Sequence, residues 1–196
     1  MDVNEMMGWG ASQMLDLTED EMLALCKRVM NLEPGRRDCV VERDDGIDID
    51  EWLRVRARTW YAQLLEDASP AWLPVEDVKA LVTATLMPDG AVKAIVPAQC
   101  VRPVEWQLDG WKCGVTAFAR PDDATGRLQR NPWTRAGVHC PVAVDHGAWL
   151  MLYGNGGTAQ PVVTMARCVV RPTDGRYRFH TAAIASLPAA LNVPTP

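Results

Sequence analysis

The chain of 196 residues has only two phenylalanines, three tyrosines and three histidines. Its six cysteines (Cys26, Cys39, Cys100, Cys113, Cys140 and Cys168) include no C-x-x-C pair. Scattered thiols of this kind read as small buried hydrophobes in a reducing compartment, not as a disulfide framework. Zinc needs close ligand pairs, and only His139 and Cys140 are neighbours. If that pair lies on a strand, its side chains point to opposite faces, so no metal site is expected. G-x-S-x-G, H-E-x-x-H and P-loop motifs are missing. "GNGG" (154–157) lies between expected strands and opens no helix, which makes it a poor phosphate cradle. The pair Asp122-Asp123 sits among arginines, so local charge compensation explains it better than acid–base chemistry. No Cys/His nucleophile is marked, and neither an enzymatic activity nor a cofactor is expected. No run approaches the roughly 18 apolar residues of a membrane span. The opening "MDVNEMMGWGASQML" has neither a basic nor a long apolar region, so it does not read as a secretory signal. The expectation is a cytosolic product with no membrane partner. A pI near 5.2 argues against a general nucleic-acid coat.

Tryptophan, by contrast, occurs eight times. The first part of the chain reads as helical. Thr18-Glu19-Asp20-Glu21 fits a capping box, and Met22, Leu25, Cys26 and Val29 follow at helical spacing. Pro34-Gly35 ends that helix. "RDDGIDIDEW" (43–52) resembles a calcium loop only superficially. With Gly46 central, the ligand positions fall on Val41, Arg43 and Trp52, which cannot serve. A turn followed by an N-cap at Asp48 or Asp50 fits better. The next helix is expected from about Asp50 to Asp67. Leu53, Ala57, Trp60 and Leu64 form one face, widened by Trp52, Tyr61 and Leu65. Arg54 and Arg58 form either a solvated face or a contact face for an acidic partner.

After "SPAWLPVED" (69–77) the pattern turns to strands. Pro88-Asp89-Gly90 reads as a hairpin turn. Val104, Trp106 and Leu108 alternate up to Asp109-Gly110, and Trp111, Cys113 and Val115 alternate after it, which predicts a second hairpin with Trp106 and Trp111 paired across it. "CPVAV", Asp145-His146-Gly147 and "AWLMLY" predict a third. "PVVTMARCVV" and "DGRYRFHTAAIASL" complete the strand-rich part. The expected class is α+β: N-terminal helices over 1–75, an antiparallel sandwich or barrel-like domain over 76–190, and a loose tail over 191–196.

One long loop, "RPDDATGRLQRNPWTRAG" (120–137), stands apart. Loops beyond about 12–15 residues in compact domains are usually functional or disordered. Arg120, Arg127, Gln129, Arg130, Asn131, Trp133 and Arg135 are its candidate interface residues, since tryptophan and arginine most often anchor interfaces. Trp133 either folds back on its own loop or plugs into another chain. The uncharged stretch 181–196 is a second candidate contact.

"IVPAQCVRPVEWQLDGWKCGV" (95–115), "RLQRNPWTRAG" (127–137), "CPVAV" and "AWLMLY" together resemble a pattern in head-to-tail connector proteins of tailed bacteriophages. The likeness is to ring or adaptor proteins of short-tailed and crAss-like phages. Those carry a Leu-Pro-x-Asp-Phe-x-Arg approach to a strand, a Gly-Trp hairpin and a Gln-x-Asn…Arg-Gly loop before a Pro-Val strand. The matching positions are Gly110-Trp111, Gln129-Arg130-Asn131, Arg135 and Pro141-Val142. The approach reads Val96-Pro97-Ala98-Gln99-Cys100-Val101-Arg102, so its acidic and aromatic positions differ, and Ala136 interrupts Arg-Gly. The likeness spans under a third of the chain. It implies a non-enzymatic virion protein at the head–tail junction, made in the host bacterial cytoplasm. Copies would form a ring, commonly a dodecamer, docked to the portal protein and to neighbouring tail or ring proteins, with DNA passing through the lumen. The residue chemistry alone leaves a carbohydrate- or surface-binding β module with exposed tryptophans as the alternative.

Overall fold

A computed structural model describes residues 13–30 and 48–191. In chain order the elements are β1 (Met14–Leu17), α1 (Glu19–Val29), α2 (Ile49–Asp67), β2 (Val75–Asp77), β3 (Thr83–Leu86), β4 (Val92–Ile95), β5 (Cys100–Leu108), β6 (Phe118–Ala119), α3 (Ala124–Leu128), β7 (Val142–Asp145), β8 (Trp149–Tyr153), β9 (Val163–Val170), β10 (Tyr177–His180) and α4 (Leu187–Ala190). The class is α+β, with sheets that do not close into a barrel. No helix among the described residues is long and apolar enough to cross a membrane.

The chain divides into two units. One comprises 1–74 and 172–196, the other 75–171. This differs from the expected division into 1–75 and 76–190, because the C-terminal stretch joins the helices and not the sheets. β10 pairs antiparallel with β1, with Phe179 opposite Leu15 and Tyr177 opposite Leu17. Phe179 meets Trp60 of α2 edge-on at 5.1 Å, and Tyr177 lies 5.1 Å from the Tyr61 ring.

Local chemistry accounts for both helix starts in this unit. Thr18 Oγ1 accepts from Glu21 N while the Glu21 carboxylate accepts from Thr18 N, closing the capping box. The Thr18 backbone N–H, and after it the Thr18 hydroxyl, donate to the Glu21 carboxylate and hold it below its ordinary range. Asp48 caps α2, its side chain accepting from Asp50 and Glu51 N–H. The basic face of α2 is met inside the unit: Arg58 pairs with Glu19, and Arg54 lies 3.7 Å from Asp20. The uncharged C-terminal stretch is spent internally too. Ala183, Ile184, Leu187 and Leu191 are buried, and Trp60 Nε1 donates to Ser186 Oγ at 2.9 Å. The apolar side of 181–191 thus forms this core, and Leu191 does not belong to a loose tail. The expected helix end at Pro34-Gly35, the turn before Asp48 and the tail beyond Leu191 lie outside the described residues.

In the second unit, β2-β9-β5 form one sheet and β3-β4-β8-β7-β6 another. All pairs are antiparallel except the two-residue β6–β7 contact. Alternation explains the packing. Val92, Ala94, Leu150 and Leu152 of the larger sheet and Trp106, Leu108, Ala166 and Cys168 of the smaller one share a single apolar cluster, as in an open sandwich. Two expected hairpins are present, β3–β4 around Gly90 and β7–β8 around Gly147, both glycines at positive φ.

The hairpin expected around Asp109-Gly110 is not one. Gly110 turns the chain at φ +80°, but only Trp106 and Val115 then bridge, and β5 takes β9 as its partner. After the turn, Lys112 N donates to Val138 O, which carries the chain away from β5. Trp106 and Trp111 are therefore buried in the same core without being a cross-strand pair. His139 and Cys140 sit in a turn and not on a strand.

Candidate interaction arm

The segment 120–137 is a folded arm built around one buried polar side chain. Asp123 Oδ2 accepts from Arg120 N at 2.7 Å, and α3 starts at Ala124. Gly126 passes against the backbone so closely that a Cβ there would lie 2.2 Å from Arg120 O. Only glycine allows that approach. Gln129, 3% exposed, follows. Its Nε2 donates to Thr125 O at 3.1 Å and its Oε1 accepts from Ala136 N at 2.9 Å. Asn131 Oδ1 accepts from Trp133 N, and Thr134 Oγ1 donates to Leu128 O at 2.7 Å, which folds the tip into a tight turn.

Arg135 ties the arm to its own unit. Its Nε donates to Gln129 O, its Nη2 pairs with Asp89 Oδ2 at 3.0 Å, its Nη1 donates to Asp89 O, and the guanidinium lies over the Tyr153 ring. Burial, with the Asp89 charge next, raises the Tyr153 hydroxyl above its ordinary pKa. Gln129 and Arg135, both candidate contact residues, are thus braces.

The other candidates face outward. Trp133 is 94% exposed and Leu128 51%. Trp133 does not fold back on the loop. Among the described tryptophans the other exposed one is Trp72, at 38%. Arg120 and Arg127 are exposed. Arg130 donates to Pro121 O and lies 3.8 Å from Asp122, a loose, solvated contact. Ala124, Arg127, Leu128, Asn131 and Thr134 line a shallow cavity of about 420 Å3 in the same arm. The surface therefore combines an indole, a leucine and exposed guanidinium groups on a braced backbone.

A second open cleft of about 680 Å3 is lined by Arg102, Phe118, Arg120, Asp122, Asp145 and His146, among others. Its lining holds two arginines and two aspartates, so the formal charges of those four cancel. Trp149 carries His146 stacked at 5.2 Å and Lys93 over its ring at 4.6 Å. Among the described residues no group of three His, Cys, Asp or Glu is arranged to hold a metal ion.

The composition of the arm was readable in advance. The bracing roles of Gln129 and Gly126 were not, because a polar residue in a polar loop gives no sign of burial. No family model, curated protein or solved structure matches the chain.

Proposed function

We infer that the chain is a non-enzymatic assembly protein acting through the 120–137 arm. The observation that carries this reading is Trp133, an almost fully exposed indole at the tip of an arm whose backbone is fixed by buried Gln129. Exposing a large apolar ring to water is costly, and bracing the backbone that carries it lowers the entropy lost on docking. Arg127 and Arg130 flank it, matching the composition of interface hot spots.

The resemblance to connector proteins narrows the reading to the head–tail junction of a tailed phage. There the chain acts as one copy of a ring docked to the portal, with DNA passing through the lumen. A net charge of −5 suits such a channel, because a strongly basic wall would hold DNA instead of letting it slide. The carbohydrate-binding alternative draws less support. Trp60, Trp106 and Trp111 are buried and Trp149 is occupied by His146 and Lys93.

The test is co-sedimentation of the full chain with a portal protein, comparing wild type with Trp133→Ala. Hot-spot truncation costs about 2 kcal/mol or more, so affinity should fall roughly 30-fold. A variant that binds as tightly as wild type refutes the role of the arm.

A further inference from the structure

The cysteines read as small buried hydrophobes in the sequence, and two of them are not. Of the five among the described residues, Cys26 and Cys168 are buried and Cys100 is half-buried, while Cys113 and Cys140 are exposed. Burial pushes the Cys26 thiol up to about 11, which makes it a poor nucleophile. The Cys100 and Cys168 thiols touch, but Cys168 is fully buried in the core of its unit, out of an oxidant's reach.

Cys113 and Cys140 belong to two irregular segments that lie side by side. Lys112 N donates to Val138 O at 3.0 Å, and the Cys113 thiol donates to His139 O at 3.7 Å. In a planar trans peptide the carbonyl oxygen lies about 2.8 Å from the next Cα. With the 3.7 Å contact, Cys140 Cα is therefore at most about 6.5 Å from Cys113 Sγ. Neither cysteine lies in a helix or strand, so rotation about χ1 and a small backbone shift bring the sulfurs to bonding distance with no core side chain moved. A bond between them closes a loop from Cys113 to Cys140, and the whole arm, 120–137, lies inside it.

We propose that Cys113 and Cys140 form a redox modification site, a dithiol that a small-molecule disulfide such as oxidised glutathione converts to an intramolecular disulfide across the base of the arm. The step is thiol–disulfide exchange. One cysteine thiolate attacks a sulfur of the oxidant, breaks its S–S bond and expels one thiolate, which leaves a mixed disulfide. The other cysteine thiolate attacks the protein sulfur of that mixed disulfide and expels the second. Two electrons pass from the cysteine pair to the oxidant, and the two cysteine protons end on the two released thiols. In reducing surroundings the base of the arm is held by the Lys112–Val138 hydrogen bond and by the Gln129 and Arg135 braces. The disulfide adds a covalent clasp there and restricts the unfolded loop. It needs no partner protein, so it stands whether or not the chain assembles.

The experiment treats the full native chain with oxidised glutathione and reads intact mass and cross-linked peptides without reduction. Wild type is expected to become lighter by the mass of two hydrogens, with a peptide joining Cys113 to Cys140 and neither thiol open to alkylation. Cys113→Ser and Cys140→Ser, both at exposed positions, should each gain one glutathione on the remaining thiol of the pair and stay open. Closing the loop should raise the urea midpoint of wild type by about 1 M or more and slow tryptic cleavage after Arg127 and Arg130, with neither change in Cys113→Ser. Wild type that collects glutathione on both thiols without closing overturns the proposal. So does a bond that joins Cys100 to Cys168 instead, or one that links separate copies of the chain. A Cys113–Cys140 bond that leaves both the midpoint and the cleavage unchanged overturns the clasp.

Discussion

Replacing Gln129 with alanine removes the centre of the arm. The side chain is 3% exposed and makes two hydrogen bonds, to Thr125 O and from Ala136 N. A protein hydrogen bond contributes about 1 kcal/mol net, and a buried amide left without its acceptor costs about 1–3 kcal/mol. Thr125 lies at the surface and its carbonyl is recovered by water, whereas the half-buried Ala136 amide is not so easily served. The sum comes to about 2 kcal/mol for the unit spanning 75–171. With a urea slope of about 1–3 kcal/mol per M, the midpoint should fall by about 1 M. Hydrogen exchange gives the local readout: the Ala136 amide loses protection while amides of β4 and β8 keep theirs. Gln129→Glu retains the acceptor for Ala136 but sets a carboxylate against Thr125 O, and should fall between wild type and alanine. A midpoint unchanged in the alanine variant, with Ala136 still protected, would refute the claim that this side chain holds the arm in shape.

Other outcomes follow from the same geometry. Gly126→Ala sets a Cβ against Arg120 O and should cost about 1–3 kcal/mol with the arm opened, visible as new proteolysis between 120 and 137. Phe179→Ala, which strips the ring packed on Trp60 and Tyr61, should cost about 3–5 kcal/mol in the other unit, checked by denaturant unfolding. Asp16 accepts from Arg176 at 2.5 Å and from Arg178 at 3.2 Å, and these guanidinium groups hold its carboxyl below the ordinary range. Its contribution is present above the unfolded carboxyl pKa and lost as pH falls through the lower folded value. The β1–β10 pairing should therefore loosen in acid, and Asp16→Asn should flatten that dependence when exchange of β10 amides is followed against pH. Burial raises the Cys26 thiol to about 11, so alkylation of the native protein at mildly alkaline pH should modify exposed Cys113 and Cys140 first. Labelling of Cys26 at an equal rate would contradict its burial.

Helix starts were the most legible part of the fold because their causes are local. Thr18 with Glu21, and Asp48 before an apolar stripe, state their roles within four residues. The turns at Gly90 and Gly147 are equally local. Strand partnership is not: alternation in β5 reports which side chains face inward and says nothing of which strand supplies its hydrogen bonds. The Asp109-Gly110 signal produced its turn, yet β5 pairs with β9, more than fifty residues downstream. Tyr177 and Phe179 read as strand residues and lie in β10, but the packing that joins that strand to α2, against Trp60 and Tyr61, is not local. In the arm, Trp133 and its arginines could be picked out by residue type. Arg135 could not be separated from Arg127 and Arg130, because its partner Asp89 lies 46 residues away in a different turn.

The central claim is assembly through the arm, and solution mass addresses it most directly. The purified full chain should form a ring by itself, or enter a large ring complex on mixing with a portal protein, and Trp133→Ala should do neither while keeping the wild-type circular dichroism spectrum. A wild-type chain that remains monomeric at all concentrations and ignores the portal would contradict the account.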